Sequence, residues 1–394
     1  MIDKNTKVFI DIVKAGICGE KATIPKDFNL ESLYLLAKTH RIMNLCYHGA
    51  VLSGVDESSD AMQKLYKGAV AELIFHEKQK VELEKVFFAF EENKISYMPL
   101  KGTVLKSLYK KPEMRTMGDA DILIRTEEYE RIIEIMQRLG FAYKYESNHE
   151  YVWENDRINV ELHKFLFPSY TEEFYIPYKN IWSKAIRTET EYKYRLSNED
   201  EFVYAFTHFV KHYKLGGIGV NHLCDLWILL QTRKLDIAVI DSQLKKLWLT
   251  EFYENIRNTL SFWFENGEED NKVELITKTI IKNCAFGTKK SFQAAFAVRI
   301  SEKKNPYKKR GKIIVLMFKV FPAARFLTHK YPFLIKKRWL LPVAWAHRWF
   351  DALFLHRKRI KNGINAIKNT DESKVIQTKK EFLEVGIRFN YMED

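Results

Sequence analysis

The chain has little of what staples or anchors a fold from outside. Four cysteines, Cys18, Cys46, Cys224 and Cys284, are scattered over 394 residues with no metal-ligand spacing. That excludes a disulfide framework and a cysteine zinc knot, and reads as free thiols in a reducing compartment. No stretch approaches the roughly 18 consecutive apolar residues of a membrane span. The opening Met1-Ile2-Asp3-Lys4-Asn5 lacks a basic region leading into an apolar one, so no secretory signal is expected. Internal repeats, low-complexity segments and a Gly-x-x-x-x-Gly-Lys phosphate loop are missing as well. The expectation is a cytoplasmic protein with no transmembrane segment.

What is present belongs to a packed globular protein. Hydrophobic residues make up 46% and aromatic residues 14% of the chain, too much for disorder. The length suits two or three domains with substantial cores. Charge is unevenly spread: residues 301–394 hold 22 Lys and Arg against 8 Asp and Glu, a balance of +14 in a chain of net charge +13. The first 300 residues therefore sit near neutrality, at −1. Such asymmetry points to an anionic partner at the C-terminal quarter.

Four regions follow from the patterning. Residues 1–94 read as helical, with Glu57-Ser58-Ser59-Asp60 offering caps for a long helix that no glycine interrupts between Ala69 and Asn93. Residues 95–165 switch to short strand-like runs around one helix, Glu127 to Leu139, ending at Gly140. Residues 166–300 return to helix, with a start at Leu196-Ser197-Asn198-Glu199-Asp200 and a break at Gly216-Gly217-Ile218-Gly219. Residues 301–394 are basic and aromatic, with prolines 306, 322, 332 and 342 punctuating short helices and loops expected at 361–363 and 369–371. The fold class is α+β, mostly α overall, with a small mixed-sheet core flanked by helical regions.

The chemistry concentrates in the strand-like region. In Asp119-Ala120-Asp121-Ile122-Leu123-Ile124 the period of two puts Asp119 and Asp121 on one face, and Ala120, Ile122 and Ile124 on the other. Two adjacent carboxylates repel unless a cation lies between them, which makes the pair a candidate Mg²⁺ site. Arg157 to His163 repeats the logic: Val160 and Leu162 face a core, leaving Asn159, Glu161 and His163 opposite. A neighbouring strand could bring Glu161 beside the aspartates. Upstream, Ile95 to Leu100 reads as a strand entering the turn Lys101-Gly102-Thr103, followed by a short helix. Strand, glycine turn and helix start can cradle an anion with backbone N–H groups.

At these residues the sequence resembles the polymerase-beta-like nucleotidyltransferase superfamily, and more narrowly the bacterial group labelled uncharacterised nucleotidyltransferases. The matching segments are Leu100-Lys101-Gly102, Arg115 with Asp119 and Asp121, and Glu161-Leu162-His163. His40-Arg41-Ile42-Met43, the helical stretch with His208, His212 and Asp225, and the proline-punctuated C-terminal region resemble the same group. Thr103 stands where the superfamily has serine or glycine, and the gap from the turn to Asp119 is longer than usual. The resemblance implies a nucleotidyltransferase core. Asp119, Asp121 and Glu161 would be its catalytic metal ligands, holding two Mg²⁺ ions. Lys101, Gly102, Thr103 and Arg115 would contact the triphosphate of an NTP, ATP being the expected one, with an unidentified and expectedly hydroxyl acceptor. His149 and His163 are candidate substrate contacts.

Plainer readings stand beside these. The aspartates could be a solvated strand end, Glu161 a cross-strand salt bridge, and His149 and His163 structural histidines. His208 and His212 share a helix face at i and i+4; with no third ligand near in sequence, packing or substrate contact is favoured over zinc. Asp225 sits among apolar residues and calls for a buried partner such as Arg or His. Trp339, Trp345 and Trp349 near Lys336, Lys337 and Arg338 suit nucleic acid or an anionic membrane surface. Trp345, Trp349 and Leu353 also fit one buried helix stripe. The alternative function is a non-catalytic protein of the same fold that binds nucleic acid or an anionic surface through the basic quarter. A third is an enzyme whose acceptor is another protein.

Overall fold

The structure, a computed structural model, describes residues 1–169, 171–284, 287, 291–292, 295, 298, 317, 320–324, 327, 331–335, 337–355 and 372–388. The helices begin where side chains can accept the free N–H groups of a first turn. Asp3 caps α1 (Lys4–Cys18) by accepting from Thr6 N at 3.0 Å, and Asn29 caps α2 (Leu30–His40). After α3 (Met43–Leu52), Ser59 caps the 33-residue α4 (Asp60–Glu92), the long uninterrupted helix its sequence predicts. Such caps are worth about 1 kcal/mol each.

The chain then builds a five-stranded mixed sheet in the order β1-β2-β5-β4-β3. Its strands are β1 (Tyr97–Pro99), β2 (Asp119–Ile124), β3 (Ala142–Glu146), β4 (Glu150–Glu154) and β5 (Asn159–His163). β2 and β5 pair in parallel and every other pair is antiparallel. The short α5 (Gly102–Leu105) follows β1, and α6 (Tyr129–Arg138) follows β2. Gly140, at φ +81°, carries the left-handed turn that stops α6.

Alternation splits the sheet between two cores. Ala120, Ile122, Ile124, Val160, Leu162 and Trp153 pack on one side with Val86 and Phe90 of α4 and Ile132, Ile135 and Met136 of α6. Met98 and Leu123 face the other side and join a larger core. That core runs through α1, α2, α3, α7 (Glu172–Tyr178), α8 (Asn198–Leu215), α9 (Val220–Thr232), α10 (Ile237–Lys246), α11 (Thr250–Phe264) and α12 (Asn271–Asn283). Ser197 caps α8 through Asp200 N at 3.0 Å, and α9 starts after Gly219. One stretch read as helical instead forms the small hairpin β6 (Ile186–Arg187) and β7 (Tyr194–Arg195). Strands of two residues are too short to show a period.

In the basic quarter a helix spans Leu341–Leu355. Trp345 and Trp349 turn inward: their ring N–H groups donate to the carbonyls of Pro322 and Val320 at 2.9 and 2.8 Å, with Phe321 edge-on to both rings. Packing therefore claims these two, while Trp339 is 75% exposed beside exposed Lys337 and Arg338. The helix Glu372–Glu384 and the segment after it return to the main core through Val375, Phe382, Val385 and Ile387. Lys336, the Leu353 side chain, Pro306 and the loops expected at 361–363 and 369–371 lie outside the described residues. Among the described residues no helix is long and apolar enough to cross a membrane.

Candidate active site

The sheet face that carries charge looks across a cavity of about 400 Å³ at α8 and α9. Register builds the acidic wall. In the parallel pair Asp119 lies opposite Asn159, Asp121 opposite Glu161 and Leu123 opposite His163. On the far side of β5, antiparallel β4 sets Glu150 opposite His163. Paired residues point to the same face, so Asp119, Asp121, Glu161 and Glu150 converge, and all four line the cavity.

The turn after β1 brings a cation to this wall. Thr103 N donates to Leu100 O at 3.1 Å and Leu100 N to Asp121 O at 3.0 Å, closing a tight turn against β2. Lys101 takes φ +50° and ψ −129° there, a conformation that favours glycine and costs on the order of 1–3 kcal/mol. In return its ammonium lies 2.5 Å from Asp121 Oδ1. His163, 1% exposed, donates from Nε2 to the same oxygen at 2.7 Å. Gly102 permits close packing: a Cβ there would lie 3.2 Å from Met117 Cγ and 3.3 Å from Arg115 Nη1.

These contacts divide the carboxylates. Burial raises the Asp121 carboxyl, but Lys101 and His163 outweigh it and hold the group well below its ordinary range. Burial and the neighbouring charges of Asp121, Asp119 and Glu150 push Glu161 up to about 9. Asp119 is raised by burial and by Asp121. Glu150, despite its burial, is pulled down to about 2 by the His149 ring, whose Nε2 lies 3.0 Å from its Oε2. Negative charge thus exceeds the positive charge supplied. A donor set of carboxylate oxygens with uncompensated charge fits a hard divalent cation. Asp121, Glu161 and His163 each offer one ligand atom within 4.8 Å of the others.

The helical wall carries Tyr204, His208, Lys211 and His212 from α8 and Asn221, His222 and Asp225 from α9, with Arg41 from the end of α2. Asp225 has the buried partner its sequence called for. Arg115 grips it with Nε at 2.9 Å from Oδ1 and Nη2 at 2.8 Å from Oδ2, and Tyr109 donates to Oδ1 at 2.7 Å. A third arm of Arg115, Nη1, donates to Thr116 O. The guanidinium therefore braces the turn while bordering the cavity, with a second N–H left on each Nη.

Lys101, Gly102, Arg115, Asp119, Asp121, His149 and Glu161 come together around one cavity, with His163 directly behind Asp121. Thr103 stands apart: its hydroxyl points to Met117 Sδ at 3.6 Å and it does not line the cavity. Sequence reasoning passed over Glu150, Tyr204, Lys211 and His222. For His222, the spacing of three to Asp225 on one helix face was an available signal; for Glu150, the polar Asn148-His149-Glu150 entry to an aromatic strand was another. No curated protein and no solved structure matches the chain. A family model does match, over residues 26–265, which include the sheet, the turn and the α8–α9 wall. The chain belongs to the family described as uncharacterised nucleotidyltransferase.

Proposed function

We propose that the protein is a Mg²⁺-dependent nucleotidyltransferase of the polymerase-beta-like kind. It would transfer a nucleoside monophosphate from an NTP, ATP first among them, to an acceptor hydroxyl. The observation that carries this reading is the register of β2 and β5, which sets Asp121 against Glu161 with Asp119 one pleat away, inside a cavity of ligand size. Asp119, Asp121 and Glu161 would hold the metal. When bound, Mg²⁺ supplies charge neutralisation for the phosphates and for the attacking and leaving oxygens.

The chain's own residues do the rest. Lys101 and His163 hold the Asp121 carboxylate ionised and oriented. Glu161 keeps a proton in the free protein and yields it when positive charge arrives. Lys211, whose ammonium is brought down to about 8 by burial and by Lys101, lines the opposite wall with Arg41, a placement suited to a polyphosphate. Arg115 acts as a positioning residue through Asp225 and the Thr116 carbonyl. Four free cysteines are consistent with a cytoplasmic setting.

The test is binding and turnover of each labelled NTP with Mg²⁺, read as nucleotide retained and pyrophosphate released. Asp119→Asn and Asp121→Asn should each lower turnover by roughly 10³-fold or more, since phosphoryl transfer relies on charge stabilisation. Nucleotide binding and turnover that ignore both substitutions would overturn the reading.

A further inference from the structure

Across the cavity from the carboxylates, three imidazoles converge from two helices. His208 and His212 are one turn apart on α8, and His222 comes from the first turn of α9. One nitrogen of each lies within 4.8 Å of the others. The Nε2 atoms of His208 and His212 are 3.1 Å apart. A tetrahedral ion with bonds of about 2.0–2.1 Å to nitrogen holds its ligands roughly 3.3 Å apart, so this pair already has the separation such an ion needs. The buried His222 Nδ1 has no hydrogen-bond partner. The third ligand missing from the neighbouring sequence is thus supplied by the fold.

We propose that His208, His212 and His222 form a second metal site, distinct from the carboxylate site, that takes a zinc-class divalent ion and leaves a fourth coordination position open to the cavity. Three nitrogen donors suit zinc or cobalt, whereas Mg²⁺ demands oxygen. The imidazoles are uncharged, as ligation requires, and the proton that one Nε2 of the His208–His212 hydrogen bond carries would move to the other ring nitrogen when an ion binds. Burial, with the neighbouring positive groups, holds His208 and His212 well below their ordinary range and His222 at about 4. The field around them is mixed: Lys211, Lys101 and Arg115 face the cluster, as do Asp225 on the His222 side and the acidic wall opposite. The proposal does not rest on the transferase reading, because the imidazole cluster stands whether or not the carboxylates carry out transfer.

The experiment titrates the whole 394-residue chain with Co²⁺ in excess Mg²⁺, which occupies oxygen sites. Tetrahedral nitrogen-bound Co²⁺ absorbs strongly in the visible, and octahedral oxygen-bound Co²⁺ only weakly. One equivalent should produce the strong band, and Zn²⁺ should abolish it. His212→Gln and His222→Gln should weaken binding by roughly 100-fold, while Asp119→Asn and Asp121→Asn leave it unchanged. No stoichiometric Co²⁺ or Zn²⁺, a band indifferent to the histidines, or a band lost with Asp121→Asn would overturn the proposal. Should a histidine variant fail to fold, zinc X-ray absorption on the wild-type protein decides: three imidazole ligands support the site, and a mainly oxygen shell refutes it.

Discussion

On one face of β2, Ala120, Ile122 and Ile124 are fully buried against α4 and α6. On the other, displaced by a single residue, Asp121 is 4% exposed and touches an ammonium and an imidazole. The apolar face is dry, the charged face opens on the cavity at Asp119, and the two are stabilised differently. The apolar face gains with area removed from water. The charged face holds only while each buried group keeps its partner, because an unpaired buried charge costs far more than a pair gains. Asp121 has Lys101 and His163, and Asp225 has Arg115 and Tyr109. Asp119 and Glu161 are less well compensated, Glu161 having only His163 Nε2 at 3.6 Å, and the proposed cation would act there.

This contrast can be broken by substitution. The largest stability effect is expected at Asp225→Ala, which strands a buried guanidinium and should cost about 3–5 kcal/mol in urea unfolding. Replacing both partners by apolar residues, Asp225→Leu with Arg115→Met, should recover much of that; a double variant as unstable as the single one would contradict the pairing argument. On the apolar face, Ile122→Ala should cost about 3 kcal/mol but leave turnover per folded molecule within about twofold of wild type. A large catalytic defect there would show that the two faces are not separable. Lys101→Met should lower turnover by about 10–100-fold by releasing Asp121, with a rise in the Asp121 carboxyl pKa readable by NMR.

The smallest effect is acid sensitivity. His40, buried at the end of α2 with Val220 N donating to its Nδ1 at 3.4 Å, is lowered by burial to about 4. Its unfolded value is near 6.5, so the folded chain binds fewer protons. Its stabilisation is complete above pH 6.5 and is lost as pH falls towards 4. Between pH 7 and 5 this should remove about 2 kcal/mol. His40→Asn, which keeps an acceptor at the Nδ1 position, should flatten the pH slope of urea midpoints by that amount, while Ile122→Ala leaves the slope unchanged.

Much of the site was legible because strand alternation is a local rule. Asp119, Asp121 and Glu161 could be assigned to charged faces from their immediate neighbours, and the caps at Ser59 and Ser197 announced α4 and α8. Arg115 borders the cavity as expected, but its ion pair with Asp225, 110 residues away, follows from no local pattern. Thr103 carries a suitable hydroxyl, yet the turn aims it at Met117 rather than the cavity. Trp345 and Trp349 suited either a binding surface or a core stripe; the carbonyls of Val320 and Pro322 decided for packing.

By itself the amino-acid order determined which residues could share a face, where helices begin and end, and that three carboxylates were available to one sheet. Those are consequences of backbone periodicity and of side chains reaching their own chain neighbours. Only the tertiary structure decided that β5 lies beside β2 in register, that Glu150 and His222 join the cavity, and that Arg115 pairs with Asp225. Register and long-range pairing depend on the free energy of the whole packed chain, where burial of the opposite face and the satisfaction of every buried charge are settled together.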